Sequence, residues 1–234
     1  MKLYSTYHLA RFIERPNRFL AQVCLESSKN IVKAHVPDPG RLKELLLPKT
    51  LVVLQEHSNP ARKTRFSLVG IKTGDIWVNI DSMFTNRLFE KEYQNILIFQ
   101  QYQMVRSEYK VGNSRFDFLM HDGELNQETL VEVKSVTLVE NGTALFPDAP
   151  TTRGTKHVTE LMELVSNGYQ AFVVFIIKRS DATRFSPHKE RDPRFARALS
   201  KAIMNGVQVC VVKCNYDPIQ LKELRITEEV PIVL

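Results

Sequence analysis

Between Ser114 and Ser135, two apolar, strand-like runs carry ionisable side chains that a fold can bury only under strict conditions. In Ser114–Arg115–Phe116–Asp117–Phe118–Leu119, strand alternation puts Phe116 and Phe118 on one face and Asp117 on the other. In Leu130–Val131–Glu132–Val133–Lys134–Ser135, Glu132 and Lys134 share a face, with Val131 and Val133 opposite. A buried acid costs several kcal/mol unless it is paired or bound to a cation. Pairing the two strands gathers Asp117, Glu132 and Lys134 at one sheet edge. Two carboxylates and a backbone carbonyl are hard oxygen ligands of the kind Mg²⁺ accepts. Such a cation polarises a phosphoryl oxygen and acidifies a bound water. Lys134 is then placed to orient that water or to stabilise charge developing on phosphorus. The same residues also fit a plain Glu–Lys pair on a solvated face.

The chain before residue 83 has the rhythm of a small barrel: short strands broken by turn residues. Strands are expected at His8–Arg15, Arg18–Leu25, Asn30–Val36 and Leu51–Gln55, then a hairpin of Arg65–Lys72 and Asp75–Ile80. Asp38–Leu46 has a helical pattern, with Asp38 as N-cap and Pro39 in the first turn. Three strands, a helix and further strands is the order of an OB-like β-barrel, whose loops between strands 1–2 and 4–5 commonly contact oligonucleotides. Here those loops carry Arg15, Asn17 and Arg18, and Arg62, Lys63 and Arg65.

Beyond residue 82 helices alternate with strands, the pattern of a mixed α/β sandwich. Helices are expected at Thr85–Gln94, at Thr155–Asn167 before Gly168, and after Asp192–Pro193. Strands are expected at Ile96–Ser107, Arg115–Met120, Leu130–Val136, Ala171–Lys178 and Val207–Lys213. The division is therefore an OB-like domain over 1–82 and an α/β domain over 83–234.

Charge is divided as unevenly as pattern. Residues 1–82 hold 13 Lys and Arg against 7 Asp and Glu, and residues 83–234 hold 19 of each, so the first part carries the whole net charge of +6. That suggests an N-terminal module meeting a polyanion, nucleic acid being the commonest; a merely solubilising surface would look the same by count. The longest apolar run, Ala171–Ile177, is far too short for a membrane span, and the charged N-terminal stretch is unlike a secretory signal. Three cysteines, Cys24, Cys210 and Cys214, suit a reducing cytoplasm. The histidines lack two-His-plus-carboxylate spacing, which argues against a zinc hydrolase, and there is no Gly-Lys-Ser/Thr phosphate loop.

Asp117 followed fifteen residues later by Glu132-x-Lys134 resembles the PD-(D/E)xK restriction-endonuclease-like superfamily. Longer segments carry a second likeness. Val36–Pro37–Asp38–Pro39–Gly40–Arg41–Leu42, Gly112–Asn113–Ser114–Arg115–Phe116–Asp117–Phe118, Val131–Glu132–Val133–Lys134–Ser135–Val136–Thr137–Leu138 and the run Leu145 to His157, Leu-Phe-Pro-Asp-Ala-Pro-Thr-Thr-Arg-Gly-Thr-Lys-His, resemble the sugar fermentation stimulation protein A family. Thr183–Arg184–Phe185–Ser186–Pro187 extends the match. The resemblance implies an N-terminal OB-like domain, a C-terminal restriction-endonuclease-like (PD-(D/E)xK) α/β domain, non-specific DNA binding and a regulatory role in sugar (maltose) metabolism. By position, Asp117, Glu132 and Lys134 take the acid, acid and lysine places of the nuclease motif. Mg²⁺ or Mn²⁺ would sit on Asp117, Glu132 and the Val133 carbonyl. Glu90 or Glu92 could supply an outer carboxylate, or simply face solvent. Arg153, Lys156 and His157 open the following helix, where the dipole favours anions, and stand as scissile-phosphate contacts. Thr155 departs from the Gln of many relatives, and Pro147–Asp148 is taken as loop structure near the site. Three functions compete: a metal-dependent DNA nuclease, a non-catalytic DNA-binding regulator on a nuclease scaffold, and an RNA-processing protein.

Overall fold

The computed structural model describes residues 6–219 and 224–234. The first strands are β1 (Tyr7–Asn17), β2 (Leu20–Leu25), β3 (Ile31–His35), β4 (Leu51–Glu56), β5 (Phe66–Thr73) and β6 (Ile76–Asn79). They form a sheet in the order β3-β2-β1-β4-β5-β6, closed into a five-strand barrel by a parallel β3–β5 pairing. Ala10, Val23, Ala34, Leu54 and Leu68 fill it.

The segment from Asp38 to Leu46 is not the helix its pattern suggests. Leu42 takes a left-handed φ of 50°, and the carbonyls of Asp38, Gly40 and Arg41 all accept from the Arg15 guanidinium instead of from amides one turn on. Asp38 does cap, but only a tight turn, its Oδ1 accepting from the Gly40 amide at 2.7 Å. The helical spacing of Leu42, Leu45 and Leu46 reflects a single turn whose leucines plug the barrel.

The second half contains α1 (Ser82–Glu92), two short 3-10 turns, β7 (Tyr102–Val111), β8 (Ser114–Asp122), β9 (Gln127–Val136), β10 (Leu138–Glu140), β11 (Thr143–Phe146), α2 (Thr152–Ser166), β12 (Gln170–Ile177), β13 (Arg184–Pro187), α3 (Pro193–Met204), β14 (Gln208–Tyr216) and β15 (Leu224–Glu229). The strand expected from Ile96 starts only at Tyr102, because Tyr93–Asn95 and Leu97–Phe99 coil as 3-10 turns. A six-stranded sheet in the order β15-β14-β12-β9-β8-β7 has a parallel centre of β9, β12 and β14. Both faces of β12 are covered, which is why Ala171–Ile177 is apolar throughout and wholly buried. On one face pack α2 through Val158 and Leu161 and α3 through Phe195, Leu199 and Ala202, each set at helical spacing. Asp192 holds the starts of both helices: Oδ1 accepts from the Phe195 amide and Oδ2 from that of Thr151, the cap of α2.

The opposite face joins the two halves. Val53, Val69 and Trp77 of the barrel pack with Phe84, Leu88 and Phe89 of α1 and with Phe118, Val131 and Phe172 of the second sheet. Trp77 therefore belongs to this shared core and not to its hairpin alone. Beside it the Asn79 amide donates to the Lys178 carbonyl at 3.1 Å. No helix among the described residues is long and apolar enough to cross a membrane.

Candidate active site

Strand β8 pairs with β9 as far as Phe118 opposite Val131, and one step further along this register Asp117 faces Glu132. There the ladder gives way to side chains. Asp117 Oδ2 accepts from the Val133 amide at 2.7 Å, and Oδ1 accepts from the Asn86 side chain on α1 at 2.7 Å. The break also ends the simple alternation. Phe118 packs with Phe89 toward α1, whereas Phe116 lies against His157 of α2, so the two phenylalanines occupy different cores.

Glu132 sits in the middle of the sheet and is 3% exposed. Its Oε1 accepts from Lys134, two residues along the same face, and from His157 Nδ1 at 2.5 Å. Its Oε2 is buried without a partner among the described residues. Burial acts to raise the Glu132 carboxyl, but His157 and Lys134 outweigh it and hold the group below the usual range. Asp117 goes the other way. Burial, reinforced by the Glu132 charge, lifts its carboxyl to about 6 against the Val133 amide, Lys134 and Asn86. Two neighbouring acids are thus driven apart, one held ionised and one poised near neutrality.

Lys134 faces a cleft of about 350 Å³ between barrel and second domain, walled by Asp38, Asn86, Asp148 and Arg153. Two hydroxyls on its wall, Thr85 Oγ1 and Ser135 Oγ, are buried with no hydrogen-bond partner among the described residues. Asp117 opens into an adjoining pocket of about 550 Å³, and Ser82 and Asn86 line both spaces. Glu90 lines that pocket one helical turn beyond Asn86. Glu92 does not: helix phase turns it aside, where it accepts from Asn95. The three motif side chains thus gather around Val133, with Asn86 as the partition between their openings. Among the described residues no three His, Cys, Asp or Glu side chains cluster as metal ligands. The oxygens that would fit a cation are the free Glu132 Oε2 and the two Asp117 oxygens, each with acceptor capacity to spare.

The cationic residues divide into two kinds. Arg153 and Lys156 are exposed on the first turn of α2, whereas His157 is buried and spent on Glu132. Arg15 is turned inward: Nη2 donates to the carbonyls of Arg18 and Asp38, and Nη1 to those of Gly40 and Arg41. It bolts the 38–41 segment to the barrel over the cleft, and Asp148 meets that segment from below by accepting from the Arg41 amide at 3.1 Å. Arg18, Arg62, Lys63 and Arg65 are exposed on the barrel loops. Arg62 donates to Ser67 Oγ, and Arg65 pairs with Glu56.

Two family models match this chain: the SfsA N-terminal OB domain over residues 13–80 and the sugar fermentation stimulation protein RE domain over residues 83–220. The chain belongs to the sugar fermentation stimulation protein family. A sugar fermentation stimulation protein homolog of Clostridium acetobutylicum is 41% identical over 239 residues, covering all of both chains. One from Clostridium botulinum is 44% identical over 210 residues, 89% of this chain and 90% of the other. The structure of Pyrococcus furiosus SfsA in complex with Ca²⁺ matches with a TM-score of 0.90 and 28% identity, over 100% of this chain and 98% of that one. The fold is accordingly an OB barrel followed by a restriction-endonuclease-like α/β domain.

Asn86 carries no motif signal, since an asparagine on an amphipathic helix reads as surface. Its one clue is the four-residue spacing to Glu90, which puts both on one helix face. Thr85 and Ser135 are ordinary in sequence and are marked only by their buried, unpartnered hydroxyls.

Proposed function

We propose that this protein binds DNA and hydrolyses a phosphodiester bond with Mg²⁺ or Mn²⁺ held by Asp117, Glu132 and the Val133 carbonyl. The observation that carries this reading is the buried, unpartnered Glu132 Oε2 beside Asp117, an uncompensated acceptor that a hard cation would complete. The Ca²⁺ complex of the Pyrococcus furiosus relative supports a divalent site. Such a cation supplies Lewis acidity toward the phosphoryl oxygen. The chain does the rest. Asn86 and the Val133 amide aim Asp117, while His157 pins Glu132 so that one oxygen alone is presented. Lys134 faces the cleft with its ammonium close to Glu132, where it holds a water or offsets negative charge on the phosphoryl oxygens. Arg153 and Lys156 receive the phosphate at the mouth of α2, and Arg18, Arg62, Lys63 and Arg65 hold the backbone on the barrel. The free thiols of Cys24, Cys210 and Cys214 fit a cytoplasmic setting.

The engagement of Lys134 with Glu132 favours a second reading, a non-catalytic DNA-binding regulator of sugar (maltose) metabolism on the same scaffold. One experiment separates them. Supercoiled, linear and single-stranded DNA is incubated with Mg²⁺ or Mn²⁺ and either wild type or Glu132→Gln. Nicking by wild type alone establishes the hydrolase; equal background with retained DNA binding leaves the regulator. An RNA oligonucleotide as competitor tests whether DNA is the preferred polymer.

A further inference from the structure

Strands β7 and β8 join in a tight turn at Gly112–Asn113, with Lys110 directly opposite Arg115 in the antiparallel register. Like charges placed opposite one another weaken a sheet. Both side chains are exposed, and they line one wall of a groove of about 700 Å³. Arg153 and Lys156 of α2 line the other wall, with Asn113 and Thr152 between. Four cations thus line one groove, and among the described residues no carboxylate does. Arg115 reaches Glu108 at 2.7 Å, and Lys156 reaches Glu160 at 3.6 Å, an acid behind the lining that also accepts from Ser114 Oγ. Such exposed pairs contribute only about 0–1 kcal/mol and exchange readily for another anion. Lys110 and Arg153 have no acidic partner among the described residues. Folding gains nothing from this convergence, whereas a polyanion compensates it.

The groove adjoins the cleft. Arg153 lines both, and His157, which borders the groove, bonds Glu132 directly. Its volume exceeds what one phosphate needs, and its cations come from two elements, the β7–β8 hairpin and α2; a basic groove of this kind follows a nucleic-acid backbone. We propose that the β7–β8 hairpin end and the first turn of α2 form a second phosphate-binding groove. It would carry the stretch of DNA backbone adjoining the bond held at Glu132. This rests on the DNA reading above and extends its Arg153 and Lys156 contacts to the hairpin cations Lys110 and Arg115, apart from the barrel loops.

The test is fluorescence anisotropy of a labelled single-stranded DNA oligonucleotide against the full chain over a salt series. Lys110→Gln/Arg115→Gln is compared with Arg194→Gln/Arg197→Gln, which makes the same charge change on the exposed face of α3. Losing two phosphate contacts should lower the slope of log Kd against log salt by about 1.4. The α3 variant should keep the wild-type slope. Without DNA, the hairpin variant should melt at or above the wild-type temperature, because it relieves a like-charge pair. A wild-type slope in the hairpin variant, or equal losses in both variants, overturns the groove while the DNA reading stands. Failure of the wild type to bind any oligonucleotide overturns both.

Discussion

His157 Nδ1 lies 2.5 Å from Glu132 Oε1, linking the first turns of α2 to the centre of the sheet, with both side chains buried. A bond to an ionised, buried acceptor is worth more than an ordinary one, and removing one of its two donors leaves the charge only partly compensated. His157→Ala should therefore cost about 2–3 kcal/mol in urea unfolding. Lys134 still pairs with Glu132 in that variant, so the fold should survive. A loss below roughly 0.5 kcal/mol would mean that the pin is dispensable.

The two neighbouring acids should give stability a pH dependence of opposite signs. Asp117 has its carboxyl raised from 3.8 to about 6, so between those values the folded state binds the proton more tightly than the unfolded chain. Stability from this group is fully present at low pH and falls as pH rises through that window. Glu132, held below its usual range, contributes stability above about 4.5 that is lost as pH falls. Asp117→Asn keeps an acceptor for the Val133 amide and, after an amide flip at Asn86, a bond to α1. It should be more stable than wild type at pH 7 by about 1–3 kcal/mol, with the gap closing near pH 4. An equal or lower melting temperature at pH 7 would contradict the raised carboxyl.

Legibility from sequence tracked how local each cause is. Asp117, Glu132 and Lys134 stood out because an ionisable group inside an apolar strand is anomalous at short range. The caps at Asp192 and the stop at Gly168 were visible for the same reason. The Asp38–Leu46 segment misled because its carbonyls are taken by Arg15, a residue more than twenty positions earlier, which competes with the helix its pattern favours. The His157 pin and the Asn86 contact span 25 and 31 residues and exist only after the sheet forms. Lys178 looked like the polar end of an apolar strand, yet it is wholly buried at the domain junction with an unpartnered ammonium that burial drives below its usual pKa. Charge counting was blind over residues 83–234, where equal numbers of acids and bases hide a groove whose charged lining, among the described residues, is all basic. The short β10, β11, β13 and β15 escaped because their pairing partners lie far along the chain or their runs are too short to show a period.

Asn86 should tune cation affinity without being a ligand. It holds Asp117 Oδ1 and partitions the two pockets, the role of an outer hydrogen-bond partner to a metal-binding carboxylate. Asn86→Ala should weaken Mn²⁺ binding by about tenfold in calorimetric titration, while Glu132→Gln abolishes it. Unaltered affinity in the first variant would show that Asp117 needs no support from α1. Heat unchanged from wild type in the second would remove the cation site altogether.

The junction over the cleft should tolerate no added carbon at Gly40. A Cβ built there collides with Asp148 Oδ2 and meets Asp38 Oδ1 at 2.8 Å, and both carboxylates are already engaged, Asp148 with the Arg41 amide and Asp38 with the Gly40 amide. Burial and the nearby Asp38 charge already raise the Asp148 carboxyl, so pressing the two acids together aggravates an existing repulsion. Relief requires Asp148 to let go of Arg41, which leaves the exposed Glu44–Arg191 pair at 3.2 Å to tie the 38–46 segment to the second domain. Gly40→Ala should therefore lower stability by about 1–3 kcal/mol. It should also speed hydrogen exchange at Arg41 more than in the barrel strands, because the barrel keeps its own core of Ala10, Val23 and Leu68. A uniform rise in exchange across the barrel would instead place the strain in the barrel itself, and no rise at Arg41 would show that the carboxylates yield without breaking the contact.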